Sequence, residues 1–200
     1  MDSVLRLATA ADAGQIAAIY APFCETSTVS FETVAPSPAV MAQRIATIGA
    51  RWPWLVLQTG DRVAGYVYAG QHRERAAYQW AVDVTAYVAT EYRRRHVGQV
   101  LYHALFRLLV LQGYFKAYAG ITIPNPASLA FHESLGFRRI GIYHGVGYKL
   151  GAWRDVAWYE RELQPERHDP VPPRPIDEIM ATQAGKIVLR VDPDDLDAVP

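Results

Sequence analysis

The chain of 200 residues has a single cysteine, Cys24, so no intramolecular disulfide framework is open to it, and a structural zinc site is disfavoured as well. It has no excess of charge: 20 Lys+Arg balance 20 Asp+Glu, for a formal net charge of zero. A nucleic-acid footprint needs a surplus of basic charge over the domain, so no nucleic-acid partner is expected. No apolar run reaches the ~18 residues of a transmembrane helix. The longest candidate, near Leu101 to Leu111, is interrupted by His103 and Arg107. The opening MDSVLRLATAADAG lacks the basic start and apolar core of a signal peptide. These absences lead to the expectation of a cytoplasmic protein with no membrane partner. What is present is a globular composition, 50% hydrophobic and 12% aromatic, too rich for a disordered chain. A chain of this size buries roughly 70% of the surface that its unfolded form exposes.

Charge and proline are unevenly distributed. From Pro165 onward there are eight acidic and four basic residues and seven of the thirteen prolines, leaving sixteen basic and twelve acidic residues before it. This divides the chain into an expected domain over 1–164 and a Pro-rich acidic tail over 165–200. The tail is mostly linker-like (PVPPRP), but KIVLRV at 186–191 reads as a strand able to pair with an exposed edge of this chain or a neighbour. A disordered acidic tail is the alternative reading.

In the body, apolar spacing and turn residues predict the order β-α-α-β-β-β-α-β-α-β-β. Ser37-Pro38 announces one helix start, Gly60-Asp61 a hairpin turn, and Gly113 and Gly136 two helix ends. The fold class is α/β (α+β mixed): a meander followed by a β-α-β crossover, giving a mixed sheet with helices on both faces.

Chemistry concentrates in two stretches. In Val82 to Gln99 a strand ends at Val88, three arginines (Arg93, Arg94, Arg95) follow, and a helix opens at Val97-Gly98. Amides at a helix N-terminus lack intrahelical partners and the macrodipole favours an anion there, while arginine forks suit phosphate oxygens. A pyrophosphate is one occupant of such a turn; a solvated basic loop is the plain alternative. The second stretch, NPASLAFHESLGF, sets Asn125 and Ser128 at a helix start with His132 inside it.

Together, the strand, the R-x-x-G-x-G/A-like turn, the long helix and the N-x-x-S…LGF helix resemble the GNAT acetyltransferase superfamily. The similarity is closer to its phosphinothricin and methionine-sulfoximine N-acetyltransferase branch. It is carried by CETSTVSFET, RWPWLV, YVYAG, TAYV, GQVLY, ITIPNPAS, FHESLGF and GYKLGAWRDVAWY, in the family's order to about Leu163. The resemblance implies acetyl-CoA as cosubstrate, no metal, and direct transfer of acetyl to the amine of a small amino acid or analogue. It implies a splayed parallel strand pair at the cofactor, with Ala86, Tyr87 and Val88 on the pantetheine. Arg93 through Gln99, including His96, would hold the pyrophosphate, and Asn125 and Ser128 the opposite wall. His96 departs from the pattern, standing where the family has its first motif glycine. The branch's base is a carboxylate that falls here on Asp83, with Thr85 beside it and His132 as acid or proton relay. Aspartate is short for that task, so a water or an inward-shifted substrate is expected. Phe31, Arg73 and Arg75 fall at the substrate pocket. The resemblance, together with the many aromatics of GYKLGAWRDVAWY, leads to the expectation of a homodimer that buries Trp153 and Tyr159 against the partner or completes the pocket from the neighbouring chain. Two other readings remain: a CoA-binding regulator without acetyl transfer, and an acetyltransferase acting on protein N-termini or lysines.

Overall fold

The computed structural model describes residues 3–190. Its elements run β1 (Ser3–Leu7), α1 (Ala13–Glu25), α2 (Pro38–Gly49), β2 (Trp54–Thr59), β3 (Arg62–Gln71), β4 (Ala81–Val88) and α3 (Val97–Gln112). There follow β5 (Lys116–Ile123), α4 (Pro126–Ser134), β6 (Arg138–Lys149), β7 (Ala152–Glu162), α5 (Ile176–Ala181) and α6 (Gln183–Val188). Through β7 this is the order that the sequence predicts.

Local chemistry explains the boundaries. The Ser37 hydroxyl accepts the Val40 N–H at 3.3 Å, with Pro38 pre-set in the first turn of α2. The β2–β3 hairpin turns through Gly60 at φ +57°. Gly113, at φ +100°, ends α3 by donating to the carbonyls of Leu109 and Val110.

The seven strands form one sheet in the order β1-β2-β3-β4-β5-β7-β6. Every neighbouring pair is antiparallel except β4 and β5. One face carries α1 and α2, whose Ile16, Tyr20, Met41 and Ile45 pack with Trp54, Val56 and Tyr66. The other carries α3, whose Leu101, Leu105, Leu108 and Leu109 are fully buried against Leu55, Val67, Val82 and Ala117. The β4–β5 pairing is short. It joins Ala81, Val82 and Asp83 to Lys116, Ala117 and Tyr118 and then stops. Beyond that register the two strands diverge, and the α3 N-terminus stands at the open end.

The structure corrects three expectations. Positions 186–188 of the expected tail strand are the last turn of α6, and Val191 lies outside the described residues. The segment after Pro165 is also no free linker. Gln112 donates to the carbonyls of Arg51 and Arg174 (2.8 Å each), and Ile176, Ile179 and Val188 belong to the α3-side core. Finally, Tyr159 is buried in its own chain, its hydroxyl donating to Glu133 at 3.0 Å, so it has no surface to offer a partner.

Candidate active site

Where β4 and β5 part, a cleft of about 110 Å³ opens between them. Thr85, Ala86 and Tyr87 line it from β4, Gly120, Ile121 and Thr122 from β5, and Asn125, Ser128 and His132 from the start of α4. Sequence reasoning named six of these, and the structure brings all six to one place. Asn125 is fixed as the cap of α4, its side-chain oxygen accepting the Ser128 N–H at 3.3 Å.

At the mouth of the splay, the first amide of α3 with a helical acceptor is Val100 N–H, bonded to His96 O at 3.0 Å. The amides of Val97, Gly98 and Gln99 precede that ladder. Arg94 and His96 both adopt left-handed backbone, at φ +59° and +58°. Such alternation curls successive N–H groups into an anion-binding concavity. His96 therefore sits in a conformation that glycine adopts freely and a β-carbon penalises, by about 1–2 kcal/mol. Its ring partly compensates, Nδ1 lying 3.0 Å from Gln99 Oε1. Gly98 has a separate reason to be glycine, since a β-carbon would lie 2.9 Å from the Phe131 ring of α4. Of the arginines, Arg93 lies over the Phe23 ring (5.6 Å) and Arg95 over Tyr92 (5.8 Å). This turn, with donors and cations around a concavity at the end of an open strand pair, fits the diphosphate end of a nucleotide cosubstrate.

His132 is buried, and its Nδ1–H donates to the Ser128 carbonyl at 2.8 Å. Nε2 is left to accept the Tyr102 hydroxyl at 3.0 Å. Burial holds the His132 pKa below its ordinary value, against a smaller upward pull from the Ser128 carbonyl, so the ring is neutral at pH 7. Its one proton is committed to the backbone. Burial also pushes the Tyr102 phenol well above its ordinary range, keeping it protonated where it lines the cleft. Tyr102 is thus a proton-bearing group at the cleft that is directly bonded to His132. Nothing in the sequence singles it out, because it reads as one more apolar-face residue of α3.

The cleft continues into a larger cavity of about 470 Å³, sharing Val29, Thr85, Tyr87, Gly120 and Thr122 with it. The remaining walls are Tyr20, Ser30, Phe31, Tyr68, Tyr143, Val146, Val156 and Trp158. A bulge in β6 between Tyr143 and Gly147, held by Gly145 N–H donating to Asp155 Oδ1 at 2.8 Å, brings Val146 to this wall. The loop bearing Phe31 is pinned from beneath. The buried Lys149 ammonium donates to the carbonyls of Phe23 (3.1 Å), Ser30 (2.5 Å) and Glu32 (2.7 Å). Tyr20 hydrogen-bonds Ser30 (2.6 Å) and donates to Glu32 (3.0 Å), which is also gripped by both Arg44 nitrogens.

Of the residues expected at the substrate, Phe31 and Thr85 line this cavity, whereas Arg73, Arg75 and Asp83 do not. Arg73 reaches its rim indirectly, its guanidinium 5.7 Å from the centre of the Trp158 ring. Arg75 is exposed and caps the short turn Ala76–Tyr78. Asp83 shares the β4 face of Thr85 and Tyr87 but lies deeper, at the last paired register of the splay. Burial raises its pKa, opposed by His72 and then by Arg73. Its Oδ1 lies 2.6 Å from His72 Nδ1.

Residues 5–158 match the family model described as an acetyltransferase (GNAT) domain. The chain is 37% identical to a phosphinothricin N-acetyltransferase of Streptomyces viridochromogenes, over 86% of this chain and 92% of the relative. It is 30% identical to an L-methionine sulfoximine/L-methionine sulfone acetyltransferase of Pseudomonas aeruginosa, over 85% of this chain and all of the relative. Among solved structures it is similar to a GNAT superfamily phosphinothricin acetyltransferase from Sinorhizobium meliloti in complex with AcCoA. The TM-score is 0.80 at 33% identity, covering 86% of this chain and 94% of that one.

Proposed function

This chain belongs to the GNAT family and is an acetyl-CoA-dependent N-acetyltransferase, and from that premise we propose that its acceptor is the free α-amine of a small amino acid or analogue, of the phosphinothricin or methionine-sulfoximine type. The observation that carries this reading is the continuity of the β4–β5 cleft with the aromatic-walled cavity, whose volume suits a small molecule. Acetyl-CoA supplies an activated acetyl group as a thioester. The strand edge at Ala86, Tyr87 and Val88 holds the pantetheine arm. Arg93, Arg94, Arg95, His96, Val97, Gly98 and Gln99 hold the diphosphate, with Asn125 and Ser128 on the far wall.

An amine attacks only when neutral, so the acceptor must give up a proton before transfer. Asp83, its basicity raised by burial, takes that proton through a water, because it stands back from the cavity by the depth of the splay. Thr85, between Asp83 and the cavity, orients the amine. On the thiol side His132 acts through Tyr102: its Nε2 holds the phenol, whose O–H can turn from it into the cleft and donate to the leaving sulfur. Phe31 packs against the acceptor side chain, and Arg73 and Arg75 attract its carboxylate to the rim.

The chain acts as a homodimer in the cytoplasm on this reading. The β6–β7 hairpin supports the dimer by exposing Tyr143, Val146, Tyr148, Leu150 and Trp153, the last 68% accessible, more apolar surface than a lone hairpin ordinarily shows. Sedimentation at micromolar concentration should give twice the 22.3 kDa chain mass, and a monomer would contradict the assembly. The acceptor is tested by steady-state transfer to a panel of α-amino acids. Saturable turnover is expected with the free amine and none with the N,N,N-trimethyl or N-acetylated compound, neither of which has a nucleophilic nitrogen. Preference for a peptide lysine or a protein N-terminus over every free amino acid would replace the acceptor reading.

A further inference from the structure

His72 follows β3, two residues beyond Gly70, which pairs across the strands with Asp83. Strand alternation places positions 70 and 72 on the face that bears Asp83. Gly70 projects nothing there, and a β-carbon on it would meet no atom within 4 Å, so space remains beside the carboxylate. The imidazole is held firmly: it stacks on Tyr118 of β5 (4.3 Å between centres, 16° between planes) and meets Tyr78 and Trp158 edge-on at 6.0 and 6.3 Å. Its side chain is 11% accessible, against 36% for Asp83. Nδ1 lies 2.6 Å from Asp83 Oδ1, a short contact in which a ring N–H donates to the carboxylate. Among the described residues, Asp83 Oδ2 has no hydrogen-bond partner.

We propose that His72 is the positioning residue of the proton acceptor: its Nδ1–H engages Oδ1 of Asp83, fixes the carboxylate in one rotamer, and leaves Oδ2 as the oxygen that takes the amine proton. The inference rests on the reading of Asp83 as the base. The proton balance is simple. The ammonium passes one proton through water to Oδ2, which returns it to solvent after transfer; the second nitrogen proton, shed as the C–S bond breaks, balances the leaving thiolate as free thiol, and the His72 Nδ1–H bond is kept throughout.

The groups around this pair set the direction of any pH effect. Besides His72, Asp83 is faced by the Arg73 guanidinium from the same loop, the Tyr68 phenol from β3 and the Tyr118 phenol from β5. Glu160 of β7 and Lys116 of β5 act on Tyr118 from behind. His72 and Arg73 oppose the desolvation that raises Asp83. Removing the imidazole therefore lets the Asp83 pKa climb further, and the acidic limb of kcat/KM moves to higher pH.

The test compares pH profiles of kcat/KM for the best free amino acid in the full-length parent, His72→Phe, His72→Asn and Asp83→Asn. Phenylalanine keeps the stack on Tyr118 and deletes the donor. Its acidic limb should rise by about one pH unit, so that the rate falls about tenfold below the limb, with the KM for acetyl-CoA unchanged. Asparagine carries an N–H at the same bond distance from Cβ as histidine Nδ1 and should restore the parent limb. A limb unmoved in His72→Phe, with Asp83→Asn inactive, overturns the inference alone. Parent-like turnover by Asp83→Asn overturns the base assignment beneath it. If the phenylalanine variant does not fold, His72→Gln replaces it, since its N–H lies one bond farther out. A profile for His72→Gln identical to that of His72→Asn then overturns the proposal.

Discussion

Replacing Gly147 with alanine should damage acceptor recognition while sparing the cofactor. Gly147 lies on β6 opposite Arg154, and the Phe31 ring rests on its bare backbone. A β-carbon there would come within 2.7 Å of ring atoms Cδ2 and Cζ, and closer still to Cε2. Ordinary contact begins at 3.4 Å, so the ring must retreat by more than 0.7 Å, the shortfall at Cδ2 and Cζ, because Cε2 is nearer still. The backbone cannot follow, because Lys149 grips the carbonyls on either side of Phe31, at Ser30 and Glu32. The ring must turn about its own torsions instead, and being 39% exposed it can leave the wall. Overpacking of this kind is worth about 1–3 kcal/mol, and losing the aromatic wall from the bound acceptor removes a similar contribution. With tenfold for every 1.4 kcal/mol, kcat/KM for the amino acid should fall about 5- to 140-fold. Steady-state kinetics with the amino acid varied, and calorimetry with acetyl-CoA, read the two effects separately. In Phe31→Ala, adding Gly147→Ala should do little more, since the clash is gone. A correctly folded Gly147→Ala protein with parental acceptor kcat/KM would refute the placement of Phe31 as a recognition wall.

Further consequences follow from the other elements. Arg94→Ala with Arg95→Ala should weaken acetyl-CoA binding and flatten its salt dependence between low and moderate ionic strength; a double variant with the parent's calorimetric affinity at both salt levels would remove the diphosphate cradle. Tyr102→Phe should lower kcat by about tenfold or more while acetyl-CoA affinity holds, as expected for a group within general acid catalysis, and an unchanged kcat would leave the thiol side to solvent. Ile179→Ala, in the segment after Pro165, should destabilise by about 2–5 kcal/mol because the side chain is buried in the α3-side core. Thermal melting should show it as a fall of several degrees, at about 2–4 °C per kcal/mol, and an unaltered Tm would show that α5 adds nothing to the fold.

The legible parts of this molecule are those whose signals are local. Helix α3 declares both ends through Gly113 and the arginine turn, and Asn125 announces α4 as its cap. The cleft residues follow from those boundaries once strands β4 and β5 are paired. The positive φ at His96 follows from the same motif, since a glycine position occupied by histidine points to left-handed backbone. What failed to show is long-range. KIVLRV reads as a strand by propensity, yet burial of Val188 under α3 favours a helical turn, and tertiary packing overrides intrinsic preference. PVPPRP reads as linker because its prolines cannot donate, but the carbonyl of Arg174 finds the Gln112 amide. Tyr102 and His132 are thirty residues apart on different helices, and no spacing rule joins them. The His72–Asp83 contact stands between, because it follows from the β3–β4 register that sets Gly70 opposite Asp83.

The central claim is acetyl transfer to a small free amine in the cavity that adjoins the β4–β5 cleft. Its most direct test is release of free thiol from acetyl-CoA by the full-length protein, measured against a panel of L-amino acids with phosphinothricin and methionine sulfoximine, with the product identified by mass. The account predicts saturable, amine-dependent thiol release and an N-acetylated product for at least one of these small acceptors. Tight binding of acetyl-CoA by calorimetry with no thiol released above background for any of them would contradict it, and would make the chain a CoA-binding regulator.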